Sequence, residues 1–207
     1  MLYILSALTG YLLGSIPTAY LILKKTRSID ITAAGTGNVG AMNAYEVTNS
    51  KRLGIIIFLL DALKGLLSVY LMILFLPLHF IFPALALLFA VIGHSYSPWL
   101  QFKGGRGLST ALGGLLLISP LMPLIWGIGW IISYIIKKEI IISNFLATLF
   151  TILIIFLNLN FIFRFSFPSP DSLSTLLMFT ASLLMLIMIK HFEPLKSLIM
   201  QNENTKE

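Results

Sequence analysis

The sequence predicts an all-α polytopic membrane protein of seven transmembrane helices, with the N-terminus extracytoplasmic and the C-terminus cytoplasmic. Three observations lead there. Hydrophobic residues fill 57% of the 207 positions and charged residues only 11%, against roughly 25% charged in a soluble domain. The mean hydropathy is +0.94. Apolar runs long enough to cross a hydrocarbon layer recur along the chain, and the cations gather between alternate pairs of them.

The predicted spans are 3–23, 55–76, 80–99, 107–119, 121–136, 142–162 and 172–189. The stretch from Met1 to Leu23 has no charged n-region and no small-residue cleavage site, so a retained span is expected there rather than a signal peptide. The fourth span is short and glycine-rich, and Ser119-Pro120 divides it from the fifth. A single kinked helix over 107–136 would leave six spans, and charge placement decides between the two counts. Lys24, Lys25, Arg27, Lys51 and Arg52 follow the first span. Lys103 and Arg106 follow the third, Lys137 and Lys138 the fifth, and Lys190, Lys196 and Lys206 the last. Seven spans put 12 of the 14 Lys and Arg on one face, with Arg164 opposite and Lys64 within a span. The rich face is the cytoplasmic one.

Composition also excludes chemistry. With no cysteine there is no disulfide, thiol nucleophile or thiolate metal site. Neither the three histidines nor the eight carboxylates show metal-ligand spacing, so no metal and no cofactor are expected. The +6 charge fits cytoplasmic loops facing anionic lipid or substrate, not nucleic acid. No repeat, linker or composition break divides the chain, and one domain over 1–207 is expected.

The first cytoplasmic loop carries Gly35-Thr36-Gly37-Asn38-Val39-Gly40, followed by Asn43. Its Gly-x-Gly-x-x-Gly spacing matches a dinucleotide fingerprint only formally, because transmembrane flanks supply no strand–helix frame. Thr36, Gly37, Asn38 and Asn43 could hold a phosphate or a polyol. They could equally close a tight loop with their own hydrogen bonds. Asp61 and Lys64 stand three apart in the second span, where a mutual ion pair is the simplest account. His94 closes the third span beside Tyr96 and Trp99, an ordinary interfacial setting. No His-x-x-x-x-Asp and no Gly-x-Ser-x-Gly occurs.

The segment Gln101 to Gly107 is less ordinary. Lys103 and Arg106 are interleaved with Gly104, Gly105 and Gly107, where helix would be poorly served. Close backbone approach and free amides at a helix start suit an anion, so phosphate binding is expected at this loop. In the basic tail, His191 is the one possible proton carrier.

Taken together, these segments resemble the bacterial acyl-phosphate:glycerol-3-phosphate acyltransferase family over almost the full length. The resemblance rests on Gly14-Ser15-Ile16-Pro17, on Gly35 to Asn43, on Asp61-Ala62-Leu63-Lys64-Gly65 and on Gly93-His94 through Gly107, in family order and spacing. It implies a monomeric multi-pass enzyme of the bacterial cell (inner) membrane, with its active site facing the cytoplasm. The implied reaction moves a fatty acyl group from acyl phosphate to the 1-hydroxyl of glycerol 3-phosphate, giving lysophosphatidic acid. The implied catalytic residues are His191 and Lys103. Thr36, Gly37, Asn38, Asn43, His94, Gly104, Gly105, Arg106 and Gly107 are the implied substrate-binding residues. The chain departs from the family pattern at Thr32, Thr36, Met42, Glu46, Pro194, Ser197 and Gln201, while His191, Glu193 and Glu203 are kept. Glu46 stands where the family has a phosphate-contacting Arg. Such a reversal loses a charge-assisted hydrogen bond of about 1.5–3 kcal/mol, so weaker acceptor binding is expected. Two alternatives stay open at this level: the same donor with another acceptor, and a non-catalytic lipid-binding or transport protein.

Overall fold

The computed structural model describes residues 1–204, apart from the side chains of residue 199 and residues 201–204. Gln201, Glu203 and Lys206, named above, therefore fall outside the described side chains. Ten helices run in order among the described residues: α1 (Leu2–Ser15), α2 (Thr18–Arg27), α3 (Ala41–Thr48), α4 (Lys51–Phe75), α5 (Ile81–Ser95), α6 (Leu108–Ile118), α7 (Leu121–Lys137), α8 (Ile140–Leu157), α9 (Leu159–Arg164) and α10 (Leu173–Asn204).

The helical, multi-pass architecture agrees with the sequence expectation, but the number of spans does not. Among the described residues, five segments are long and apolar enough to cross a membrane: Leu2–Arg27, Lys51–Phe75, Ile81–Leu100, Ile140–Leu157 and Leu173–Leu198. The predicted spans 107–119 and 121–136 are the shorter helices α6 and α7, of 11 and 17 residues. At 1.5 Å per residue they reach only about 16 and 25 Å, short of a hydrocarbon core of about 30 Å. Hydropathy could not separate them from full spans because both are apolar throughout. The single kinked helix over 107–136 is not formed either, since Ser119 and Pro120 separate two helices.

Small residues set the packing. A Cβ on Gly10 or Gly14 of α1 would collide with the backbone of Ala86 or Ala90 on α5, and one on Gly93 with Tyr11 O. The same close approach joins α4 to α6, where Gly65 meets Thr110 O and Gly113 meets Ala62 O. Contact of this kind lets helices associate without a hydrophobic driving force between them. Around it, Leu87, Ile118, Met122, Leu176 and Leu183 are fully or almost fully buried, whereas Ile55, Leu59, Leu63 and Leu74 of α4 are exposed and face outward as lipid-facing residues should.

The motif Gly14-Ser15-Ile16-Pro17 is the break between α1 and α2. Pro17 cannot donate a backbone hydrogen bond, so the helix stops there. Two carbonyls at the break find partners from distant segments: Ser97 Oγ donates to Ser15 O at 2.7 Å, and Lys64 Nζ donates to Ile16 O at 3.0 Å. The broken helix thus anchors both the loop after α5 and the charged turn of α4.

Candidate active site

Two glycine-rich loops meet under the end of α5. Val39 N–H donates to Gly104 O at 3.3 Å, and Gly105 N–H donates to His94 O at 3.0 Å. Side chains at Gly104 and Gly105 would run into His94 and Ser95, which explains why the loop that links α5 to α6 needs glycine at both positions. Gly107 has φ +85°, a left-handed conformation that L side chains rarely adopt, and it turns the chain into α6.

Asn43 organises the first loop from within. Its Nδ2 donates to Ala34 O at 3.0 Å and to Asn38 O at 2.9 Å, while its Oδ1 accepts from Thr36 N at 3.0 Å. Thr36 Oγ1 in turn accepts from Asn38 N at 3.4 Å. Asp30 caps the loop's opening turn by accepting from the Thr32 hydroxyl at 2.7 Å and amide at 3.0 Å. Those bonds, the hydroxyl's first, hold its carboxyl below the usual range.

Beneath the loops lies a buried polar node. Asp61 Oδ1 accepts from Lys64 Nζ at 2.9 Å and from the Thr18 hydroxyl, and His94 Nδ1 stands 3.6 Å away. Asp61, Lys64 and His94 are exposed by only 1%, 5% and 7%, so the charges are paired out of water. The i, i+3 spacing identified the ion pair. Nothing in it indicated that His94, 33 positions on, would close the cluster.

A cavity of about 300 Å³ opens from these elements. Its polar end carries Asn38, Asp61, His94, Arg106 and His191, with Gly107, Leu108 and Ser109 at the start of α6. The first amides of a helix have no intrahelical acceptor and carry the positive end of its dipole. Burial pulls the Arg106 guanidinium below its ordinary pKa, and the nearby Glu46 carboxylate opposes that shift. His191 is fully buried; its Nδ1 lies 2.8 Å from Ile187 O and its Nε2 has no partner among the described residues. A carbonyl can only accept, so neutral His191 carries its proton on Nδ1 and a lone pair on Nε2. Away from this end the walls are apolar, built from Phe58, Leu115, Met122, Trp126, Trp130 and Leu184.

The residues expected from sequence divide accordingly. Asn38, His94, Arg106, Gly107 and His191 line the cavity. Thr36, Gly37 and Asn43 shape the loop beside it, and Gly104 and Gly105 seat the loop between α5 and α6 on His94. Lys103 is exposed and is not among the residues that line the cavity. Sequence reasoning missed Asp61 as a cavity residue, and Trp126, Trp130 and Asn144 as its wall. Asn144, a carboxamide inside an apolar span, was the one legible signal among them.

A site with an anion-binding end and an apolar wall, built into a bundle of membrane spans, defines a membrane protein acting on a phosphate-bearing amphiphile. Sequence and structure comparisons make this specific. The chain belongs to the glycerol-3-phosphate acyltransferase family, whose profile matches residues 4–201. It is 39% identical over 165 residues to a glycerol-3-phosphate acyltransferase of Pelagibacter ubique (strain HTCC1062), covering 79% of this chain and 84% of that one. Its fold is similar to the crystal structure of PlsY (YgiH), an integral membrane glycerol 3-phosphate acyltransferase. The glycerol 3-phosphate form of that protein superposes with a TM-score of 0.78 at 28% identity, over 96% of this chain and 92% of that one. Its lysophosphatidic acid form gives 0.76 at 27% identity over the same shares. The chain is thus an acyltransferase and a multi-pass membrane protein, and the non-catalytic alternative falls away.

Proposed function

We infer that this protein transfers a fatty acyl group from acyl phosphate to the 1-hydroxyl of glycerol 3-phosphate, releasing lysophosphatidic acid and inorganic phosphate. The observation that carries this is the single cavity in which an Arg106-containing, amide-lined end continues into apolar walls. Such a cavity suits a donor with a phosphate head and an acyl tail. Arg106 and the first amides of α6 hold phosphate, and Asn38 adds a carboxamide. Lys103, an exposed cation three residues before Arg106, adds positive charge to the same loop.

No cysteine is present, and the sequence holds neither a Gly-x-Ser-x-Gly elbow nor a His-x-x-x-x-Asp pair, so direct attack by the acceptor hydroxyl is preferred to an acyl-enzyme. His191 is the candidate acceptor of the hydroxyl proton, because it lines the cavity and its Nε2 lone pair has no partner among the described residues. Asp61 holds His94 and Lys64 beneath the loops and so preserves the shape of the polar end.

Five spans, an odd number, put the termini on opposite faces, and the Lys- and Arg-rich face is the cytoplasmic one. The active site then opens to the cytoplasm from the bacterial inner membrane, where glycerol 3-phosphate is available. A monomer suffices, since one chain supplies every group named. Purified protein in detergent, given palmitoyl phosphate and glycerol 3-phosphate, should form lysophosphatidic acid and phosphate in equal amounts. No product, beside a working homologue in the same assay, would refute this function.

A further inference from the structure

The apolar wall contains one polar arrangement that the phosphate-binding end does not explain. On α7 and α8, Trp126 Nε1 donates to Thr148 Oγ1 at 3.1 Å, and Trp130 Nε1 donates to Asn144 Oδ1 at 2.8 Å. An indole N–H is a donor only, so the orientation of the Asn144 amide is fixed by chemistry: oxygen toward Trp130, nitrogen away from it. Trp130 is itself held by stacking on Tyr134 at 4.9 Å between ring centroids.

Asn144 is only 9% exposed and lines the cavity, and its Nδ2 has no protein acceptor among the described residues. The other polar cavity residue of α8, Thr151, commits its hydroxyl proton to Ala147 O at 2.8 Å. Asn144 Nδ2 is therefore the uncommitted side-chain donor that α8 offers to the cavity. Facing the cavity, this donor is available to a bound molecule that supplies an oxygen.

Its depth selects the oxygen. Asn144 lies four residues into α8, about 6 Å along the axis from the helix start beside Lys137 and Lys138. That is one turn below the charged interface, where phosphate head gives way to hydrocarbon tail. An acyl phosphate carries one oxygen at this junction besides those of its phosphate, the acyl carbonyl.

We propose that Asn144 Nδ2 donates a hydrogen bond to the acyl carbonyl oxygen of the donor and strengthens that bond as the oxygen becomes anionic. The inference rests on the acyl-transfer reaction proposed above. In the step itself, the acceptor hydroxyl oxygen bonds to the acyl carbon while the carbonyl π pair moves onto the oxygen held by Asn144. That pair then re-forms the carbonyl as the bond from carbon to the phosphate oxygen breaks. Phosphate leaves with its electron pair, and the hydroxyl proton passes to His191 Nε2. Trp130 is a positioning residue that aims the amide.

The test compares wild type, Asn144→Leu and Trp130→Phe in the lysophosphatidic acid assay. It is paired with infrared spectra of a non-reactive acyl phosphonate labelled at its carbonyl carbon. Asn144→Leu is expected to lower kcat about 100-fold, the loss seen on removing one oxyanion donor, while KM for acyl phosphate changes less than about threefold. Trp130→Phe should lower kcat less, because the amide keeps its donor and loses only its aim. In wild type the labelled carbonyl should absorb at lower frequency than in detergent alone, and this shift should vanish in Asn144→Leu. A kcat within threefold of wild type in Asn144→Leu would overturn the proposal. So would equal kcat losses in both variants accompanied by equal falls in melting temperature, or an unshifted carbonyl in wild type. An inactive wild-type protein refutes the acyl-transfer function itself, and the proposal falls with it.

Discussion

The two glycine-rich loops look alike in composition and do different work. In the first, Gly35 to Asn43, the polar groups are largely spent on the loop. Asn43 uses both amide hydrogens and its oxygen on the backbone of Ala34, Asn38 and Thr36. In the second, His94 to Gly107, backbone hydrogen bonds to His94 O and from Val39 N fix the path of the chain. Arg106 and the start of α6 are left facing the cavity. Every buried backbone donor and acceptor must be satisfied somewhere, so the informative question about a polar loop is where its hydrogen bonds go. One loop is built to hold its own shape, and the other is the proposed anion site.

Variants can break that contrast. Arg106→Ala should have the largest effect on chemistry, lowering kcat/KM about 10- to 100-fold, as expected from losing a charged hydrogen bond of about 1.5–3 kcal/mol. Its melting temperature should stay near that of wild type, and initial rates with a parallel thermal melt check both. Asn43→Ala should act the other way round. Losing its bonds to Ala34, Asn38 and Thr36 should destabilise the fold by about 1–3 kcal/mol, read as a lower melting temperature, with activity falling as a consequence. Lys103→Ala should raise KM about tenfold with little change in kcat, because an exposed cation contributes to capture more than to the transition state. Smallest of all, Glu46→Gln should lower KM for glycerol 3-phosphate a few-fold, by removing a carboxylate that repels the acceptor's phosphate. An unchanged KM in Glu46→Gln would show that this carboxylate does not act on the acceptor.

Much of this arrangement could be read from the sequence. The five long spans, the two loops on one face and five of the cavity residues (Asn38, His94, Arg106, Gly107 and His191) came from hydropathy, charge placement and family-like motifs. What could not be read depends on length or on long-range contact. α6 and α7 are as apolar as true spans, and only their ends, at Gly107 and Ser119-Pro120, reveal how short they are. Asn43 has the same side chain whether it faces a substrate or its own loop, and the fold of that loop decides which. Asp61 was legible as the partner of Lys64. Its contact with His94 and with the cavity depends on α4 and α5 packing side by side, which no local pattern records.

The contrast between the loops reduces to one measurement, the rise in melting temperature when a non-reactive acyl phosphonate is added to wild type, Arg106→Ala and Asn43→Ala. Ligand that binds only the folded state raises that temperature in proportion to its affinity. Wild type should show a rise. Arg106→Ala should start from the wild-type temperature and show almost none, and Asn43→Ala should start lower. A full ligand-induced rise in Arg106→Ala would contradict the assignment of anion binding to the second loop.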